Sequence, residues 1–484
     1  MKNINIKFST NKEEYFNDYM DVIRAFYPYV LNTENGDELF LELFKGSDLS
    51  YECIIKDYKN KENNSKLTIN LEQNMSELEI KSKLKRYSKI ALYDVLSKST
   101  GRILPYGSLT GIRPTKLFHQ LANDGIDAEK YFINDLRVSK EKTSMIRDIC
   151  TNQEKYYSYN ESEIDLFVNI PICVSRCSYC SFLSAELGKI KKSVQPYCDL
   201  LVEDICRAKA LIKKLNLKVR TIYVGGGTPT SLSALQLNSI LVQLSSIDCC
   251  EFTVEAGRPD TIDLDKLKCM QENGVTRISI NPQTFNQRTL DIIGRKHSVQ
   301  DIYDKFDLAR NFDFDINMDL IAMLPGESVE DFKYSVDEAI NLQPENITVH
   351  TLALKRGSNL KNDHYDIATA AQMAETMIQY SQDKLLGNNY MPYYMYKQKY
   401  VSGNLENIGY CKPNTECIYN IDIMEENHTI LACGAGGISK LLYNSGKSLE
   451  RLANPKGLDV YLSRSELNFD KRDDFFEHRM NKNK

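Results

Sequence analysis

The chain has 484 residues, 42% of them hydrophobic and 26% charged, with a formal net charge of -5, the composition of an ordinary soluble globular protein long enough for two or three separately cored domains. It shows no basic, apolar, small-residue leader pattern and no apolar run near the roughly 18 residues that span a bilayer, so the expectation is a cytoplasmic protein with no membrane span. Its Lys and Arg residues are spread along the chain, which leaves nucleic acid without an obvious footprint, and its thirteen cysteines read as thiols or metal ligands in place of a disulfide framework.

Residues 1–155 read as a mixed α+β N-terminal domain. A lysine-rich stretch (Lys56 to Lys66) precedes a helical run from Ser76 to Ser99, and PYGSLTGIRPTK (Pro105 to Lys116) reads as a structured loop because of its two Gly and two Pro. The polar stretch Glu154 to Glu163 is expected to be a linker.

From 160 to 355 short β-rich runs alternate with helical ones. The strands are expected at Ile164 to Ile170, then from Thr221, Glu251, Thr276, Phe314 and Asn346, and the helices at Val194 to Leu215, Leu232 to Leu244, Leu264 to Glu272, Val299 to Arg310 and Val329 to Leu342. Six β/α units in series imply an α/β fold with a parallel sheet, curved into a full or partial barrel with helices outside. Residues 356–484 form a smaller, mixed C-terminal region with a helix expected at Tyr365 to Leu386 and a glycine cluster, CGAGGIS, at Cys433 to Ser439. Cys198, Cys206, Cys249, Cys250 and Cys269 lie in or beside expected helices and read as core filling.

NIPICVSRCSYCSF places Cys173, Cys177 and Cys180 in a CxxxCxxC pattern just past the first strand of the series. Three thiolates on one loop can face a common centre, and soft sulfur favours an iron-sulfur cluster or zinc. No His lies in the loop to complete a zinc site, whereas a cubane held by three thiolates keeps one iron open to a small molecule; unliganded buried thiols are the remaining reading. Reactive groups of a β/α barrel gather at the carboxyl ends of its strands, and the unusual polar residues fall there: GGGTPT (Gly225 to Thr230) after strand two, Glu255 closing strand three, Gln283 after strand four, Asp319 in strand five and His350 near the end of strand six, with Arg295 able to reach back over the mouth. The glycine run lets main chain approach a ligand, or simply makes a tight turn. Glu255 reads equally as a solvated strand end, Asp319 as a partner for a helix N-terminus, and His350 as a proton donor, a substrate contact or a satisfied buried side chain.

At these residues the chain resembles the radical S-adenosylmethionine (radical SAM) superfamily and, within it, the oxygen-independent coproporphyrinogen III oxidases. The likeness runs from about Asp165 to Ser439 and rests on CVSRCSYC, the preceding Ile170-Pro171 pair, GGGTPT and the Gly434 to Gly437 cluster; the LTGIRPTK segment is similar to the extra N-terminal domain of the coproporphyrinogen dehydrogenase branch. The resemblance implies a partial (β/α)6 barrel and a 4Fe-4S cluster on Cys173, Cys177 and Cys180, its fourth iron chelated by S-adenosylmethionine. It further implies cofactor contacts from Tyr179, Gly226, Gly227, Thr228 and Glu255, a second cofactor molecule near Gln283, Arg295 and Asp319, a ferredoxin or flavodoxin electron donor, and a tetrapyrrole substrate. The last would be coproporphyrinogen III, with propionates decarboxylated to vinyls by way of a 5'-deoxyadenosyl radical.

Arg295 is alternatively a propionate partner; Arg113, Lys116 and Arg356 are candidates for the same role, each also readable as a surface charge. Two departures stand out. Phe167 and Asn169 replace the family's Tyr and His, so Phe167 lacks a hydroxyl donor at a cofactor-contact position. The haem-trafficking branch carries His-Asn followed by Tyr-Trp near the C-terminus, whereas LENIGYC (Leu405 to Cys411) has Glu406 at the His position, and the chain has no Trp.

Overall fold

The computed structural model describes residues 5–27, 30–33, 35–59, 61–182, 184–353, 371–398, 405–444 and 446–480. They divide into two compact units, one built from 1–150, 366–372 and 397–405 and the other from 151–365, 373–396 and 406–484. Arg356 and positions 365–370 of the expected C-terminal helix lie outside the described residues, and the helix itself spans Ala371–Gly387. No helix of the described residues is long and apolar enough to cross a membrane.

In the first unit, alternation along β1 (Asn5–Thr10), β3 (Asp37–Ser47) and β4 (Ser50–Asp57) turns Phe8, Leu41, Leu43, Cys53 and Ile55 to one face. With β2 (Leu31–Asn32) and β5 (Ser65–Asn70) these strands form a sheet of order β2-β1-β3-β4-β5. Helices Phe16–Phe26 and Glu77–Thr100 contribute Tyr19, Ile23, Leu92 and Val95 to the same core. The second helix opens on a Ser76/Glu79 capping box and ends at a left-handed Gly101. The PYGSLTGIRPTK loop leads into helix Pro114–Asn123 with Pro at its first position, and Arg113 and Lys116 belong to this unit.

The second unit is built on β6 (Glu163–Ile170), β9 (Lys218–Gly226), β10 (Glu251–Val254), β11 (Arg277–Ser279), β12 (Asp315–Ala322) and β13 (Asn346–Thr351), all parallel and paired in that order. Helices Lys191–Lys214, Ala234–Leu244, Leu264–Glu272, Val299–Ala309 and Val329–Asn341 make the crossovers, three of them started by capping boxes at Ser233, Ser298 and Ser328. A two-strand ribbon, β7 (Ile172–Cys173) with β8 (Ala185–Glu186), carries the loop between β6 and the first crossover helix.

The C-terminal strands extend the same sheet at both ends. Beyond β13 come β15 (Glu406–Cys411) and β14 (Met391–Lys397); beyond β6 come β16 (Thr429–Cys433), β17 (Ile438–Tyr443) and β18 (Ser448–Ala453). The eleven strands are not closed into a ring, so the barrel is partial. Its curvature shows in side chains: Phe167 of β6 and Tyr223 of β9 share one aromatic cluster with Tyr393 and Tyr394 of β14, seven and six positions away in the strand order.

Polar side chains floor the inner face. Thr221 donates to the buried Asp165 at 2.6 Å, and Arg277 reaches Asp315 at 2.9 Å, Glu251 at 3.7 Å and Asn346. Glu251 in turn accepts from the main-chain amides of Ile418 and Tyr419, at 2.8 and 3.2 Å, and from the Cys417 thiol. It thereby caps helix Ile418–Glu425 with a negative charge at its positive end. Of the cysteines expected as core filling, Cys198 and Cys269 are buried, but Cys206 and Cys250 are exposed and Cys249 lies between. Cys206 sits on the outward side of its amphipathic helix and Cys250 on a turn before β10, positions that composition alone does not separate.

Candidate functional site

The loop carrying the three cysteines starts at the carboxyl end of β6 and is held from several sides. The Thr228 and Gly227 amides donate to the Ile172 and Ile170 carbonyls at 2.8 and 2.9 Å. The Ser178 amide donates to the Ile293 carbonyl, bringing the GRKH segment against the loop. Arg258 donates to the Ser175 carbonyl and hydroxyl at 3.2 and 2.7 Å while forming a two-pronged pair with Asp260 at 2.9 and 2.7 Å. The buried ring of His297 lies 3.7 Å from the same carboxylate. Burial opposes ionisation of Asp260, yet the His297 and Arg258 contacts hold it well below the usual carboxylate range.

Cys177 is buried, whereas Cys173 and Cys180 are half-buried. Burial raises the Cys180 thiol, and the neighbouring Cys177 and Cys173 thiols raise it further, which marks a shared site. The Cys173 sulfur lies 3.6 Å from the Thr228 hydroxyl. The Arg295 guanidinium faces Cys177 and the Tyr179 hydroxyl, is bonded to the carbonyls of Asn281 and Gly257, and leaves its buried Nε without a hydrogen-bond partner among the described residues. The donor set suits a cluster: three soft sulfurs on one loop, a hydroxyl and a guanidinium close to them, and a spare donor within reach. Among the described residues no three His, Cys, Asp or Glu side chains converge on a single ion.

The glycine run is tight for reasons internal to the chain. A Cβ on Gly226, at φ +105°, would strike the Asn169 amide, and one on Gly227 would lie 2.6 Å from the Ile172 carbonyl. Asn169, at the family's His position, donates its side-chain amide to the Ala435 carbonyl, and its own carbonyl accepts from Tyr197 at 2.5 Å. The Gly434 to Gly437 cluster thus braces the end of β6.

Glu255 is not a solvated strand end. Its carboxylate accepts from the Tyr223 hydroxyl at 2.6 Å and the Gly226 amide at 3.1 Å, and burial pushes it from 4.5 up to about 7 against both hydrogen bonds. Tyr223 stacks on Tyr419 with centroids 4.3 Å apart, and Phe167 stacks on Tyr419 at 6.2 Å. Further along the strand order, on β12, Asp319 accepts from Asn317 at 2.8 Å and faces the His350 ring at 3.8 Å. Burial works against its charge, but the His350, Asn317 and Thr348 side chains hold it below the usual carboxylate range. His350 bonds onward to the Tyr396 hydroxyl at 3.1 Å.

Gln283 takes a left-handed backbone, φ +68°, and bridges to β12, its amide donating to the Asp319 carbonyl at 2.9 Å. Two groups therefore form at the carboxyl ends of the strands: Cys173, Cys177, Cys180, Tyr179, Thr228 and Arg295 in one, and Gln283, Asp319 and His350 in the other, with Glu255 beside the glycine turn. Sequence reading passed over Tyr223, Tyr419, Arg258 and His297. Tyr223 could have been found from its alternation with Gly225; Tyr419, in an irregular segment, carried no signal.

A model of the Radical SAM superfamily matches residues 169–339. The "Oxygen-independent coproporphyrinogen-III oxidase-like protein HemZ" of Bacillus subtilis (strain 168) is 36% identical over 422 residues, 83% of either chain. The chain belongs to the radical SAM family of oxygen-independent coproporphyrinogen oxidase-like proteins. Members named "Heme chaperone HemW" are also similar, that of Bacillus subtilis at 34% over 39% of this chain and 50% of its own length, and that of Escherichia coli (strain K12) at 28% over 61% and 75%. A solved radical SAM family structure, coproporphyrinogen III oxidase (HemN) from Escherichia coli, superposes with a TM-score of 0.52 at 21% identity, covering 66% of this chain and 73% of that one, and establishes the shared fold. Membership of the family implies a 4Fe-4S cluster and S-adenosylmethionine.

Proposed function

We propose that the chain is a radical SAM enzyme of tetrapyrrole metabolism that oxidatively decarboxylates two propionates of coproporphyrinogen III to vinyls, giving protoporphyrinogen IX. The observation that carries this reading is the gathering of Cys173, Cys177 and Cys180 with Thr228 and Arg295 at the strand end that also presents Glu255. Cys173, Cys177 and Cys180 would hold three irons, with Tyr179, Phe167, Gly226, Gly227, Thr228 and Glu255 around one S-adenosylmethionine, and Gln283, Arg295 and Asp319 available to a second. Bound there, cluster and cofactor supply a one-electron, hydrogen-abstracting radical chemistry.

The chain's own part is enclosure and charge. The Phe167, Tyr223 and Tyr419 rings wall the site against water. The Arg295 guanidinium faces Cys177 and Tyr179, and Asp319 and His350, 3.8 Å apart, stand where a substrate group can meet them. Each propionate loses a β-hydrogen atom, carbon dioxide and one electron, the last to an acceptor.

A haem-carrying role is the second reading, favoured by the relatives named heme chaperones. Against it, the strand that would offer the ligand is internally engaged. Asn407 accepts from the Thr351 amide at 2.8 Å and donates to the Tyr396 carbonyl, and Glu406 is buried. Anaerobic incubation of reconstituted protein with S-adenosylmethionine, dithionite and coproporphyrinogen III, followed by mass spectrometry, is expected to show loss of carbon dioxide and vinyl products. Tight haem binding without turnover would support carriage, and a methylated or ring-opened haem a different radical reaction.

Glu255 yields a pH prediction. Below about 7 its carboxyl is protonated and cannot pair with a cationic ligand; above, it is ionised. S-adenosylmethionine affinity, measured anaerobically by calorimetry, is expected to fall as pH drops from 8 to 6, and Glu255→Gln to bind about tenfold more weakly with a flattened profile, as loss of a charge-assisted contact implies. Folding, conversely, favours the protonated form of this raised group, so its contribution to stability is complete below 4.5 and is lost as pH rises through about 7. A Glu255→Gln profile that kept the wild-type slope would remove this carboxyl from the cofactor's surroundings.

A further inference from the structure

The first glycine of the GGGTPT turn is not explained by its backbone. Gly225 has a φ outside the left-handed region, unlike Gly226, yet a Cβ built on it would lie 2.7 Å from the Glu255 carboxyl carbon, 2.8 Å from its Oε2 and 2.8 Å from the edge of the Tyr223 ring. The space a side chain would fill at 225 is taken by those two neighbours. Alternation puts Tyr223 and Gly225 on one face of β9, and the parallel pairing of Tyr223 with Thr253 puts Glu255, two residues further on, level with Gly225. A ring and a carboxyl group from adjacent strands therefore meet over a residue with no side chain.

Where they meet, both carboxylate oxygens are held. The Tyr223 hydroxyl donates to Oε1 at 2.6 Å and the Gly226 amide to Oε2 at 3.1 Å. An ionised carboxylate offers about four acceptor positions, so each oxygen keeps one for a further donor. The ring that carries the hydroxyl is itself fixed. It stacks on Tyr419 at 4.3 Å and lies 6.3 Å from Phe167, its register partner on β6, and the Tyr419 amide is anchored to Glu251 at 3.2 Å. Burial, and next the Glu255 charge, push the Tyr223 hydroxyl well above its ordinary range, so it remains a donor at every pH at which Glu255 titrates. The other titratable groups facing Glu255 are the Tyr419 hydroxyl and the Asp319 carboxylate, and the latter opposes its ionisation.

We propose that Tyr223 is a positioning residue: its hydroxyl, with Gly225 leaving room, holds the Glu255 carboxylate in the one orientation that receives a polar group of S-adenosylmethionine. The proposal rests on the reading of Glu255 as a cofactor contact and adds the group that aims it. A free glutamate side chain samples several rotamers and has to be ordered when a ligand arrives, whereas one already gripped by a hydroxyl and an amide does not. Tyr223 acts through the carboxylate and not on the cofactor.

The test begins with the cofactor-free protein. Infrared difference spectra against Glu255→Gln isolate the Glu255 carboxyl, and in Tyr223→Phe its protonation midpoint is expected to move above the wild-type value of about 7, because the variant keeps the ring and loses the donor that favours the charged form. With the reconstituted protein, anaerobic calorimetry at pH 8 is expected to show Tyr223→Phe binding S-adenosylmethionine about tenfold more weakly, with iron content unchanged. Gly225→Ala, whose methyl group displaces the carboxyl end of a flexible side chain, is expected to weaken binding in the same direction. In a Glu255→Ala background, Tyr223→Phe should change the affinity by less than about twofold, since a residue acting only through the carboxylate has nothing left to aim. Tyr223→Phe with wild-type affinity and an unmoved carboxyl midpoint overturns the positioning role, as does a full tenfold loss in the Glu255→Ala background, which makes Tyr223 a direct contact. Wild-type affinity in Glu255→Gln overturns instead the reading of Glu255 on which the proposal rests, even where the Tyr223→Phe midpoint moves as expected.

Discussion

Cys177→Ala is expected to abolish the visible absorbance of the reconstituted cluster and to lower 5'-deoxyadenosine formation by at least a thousandfold, while the far-ultraviolet circular dichroism stays that of the wild type. With Cys177 gone, two half-buried thiols remain, and no other Cys, His, Asp or Glu among the described residues forms a metal-holding group with them. The backbone of the loop does not depend on the sulfur. Arg258, the Ser178 amide and the Gly227–Thr228 turn hold it through main chain and Ser175. Iron content and radical product should therefore be lost together without unfolding. A Cys177→Ala protein that retained four irons and full product formation would take this residue out of the ligand set and break the assignment of the triad.

Asp204→Ala is expected to cause the largest loss of stability in the second unit, about 3–5 kcal/mol, the cost of leaving a buried charge without its partner. Asp204 and Arg472 are both fully buried and ion-paired. The same carboxylate accepts from the Tyr461 hydroxyl at 2.5 Å and the Gly434 amide at 2.8 Å. Removing it strands a guanidinium under the sheet and frees the glycine cluster that braces Asn169. The measurement is a denaturant titration, in which the midpoint should fall with little change in slope. The double variant Asp204→Leu/Arg472→Met, which removes both charges, should recover most of the loss. If Asp204→Ala matched the wild-type midpoint, the ion pair would not carry the junction between the C-terminal helix Ser465–Met480 and the first crossover helix.

Local patterning made the parallel core readable. Apolar runs such as IDLFVNI, buried on both faces, and serine-capped amphipathic helices announce β/α units within three residues of their observed ends. The cysteine spacing and the polar strand ends were legible for the same reason, since each lies within one short motif. What was not legible depends on pairing across long separations. The sequence around Thr429 to Cys433 says nothing of lying parallel to β6, nor does LENIGYC announce pairing with β13. Tyr419 became part of the site only through the curvature that brings β14 near β6. Glu251, read as the start of a strand, caps a helix 167 residues away. Polar contacts of this range leave no periodicity for a sequence to display.

The brace between Asn169 and Ala435 spans 266 residues, and this has a consequence for biogenesis. When Cys173, Cys177 and Cys180 leave the ribosome, the segment that holds the end of β6 has not yet been translated, and neither has the arginine that pairs with Asp204. A cluster seated on those thiols would therefore meet a finished loop only once synthesis is nearly complete. A polypeptide cut short before β16 would keep all three thiols without the brace behind them.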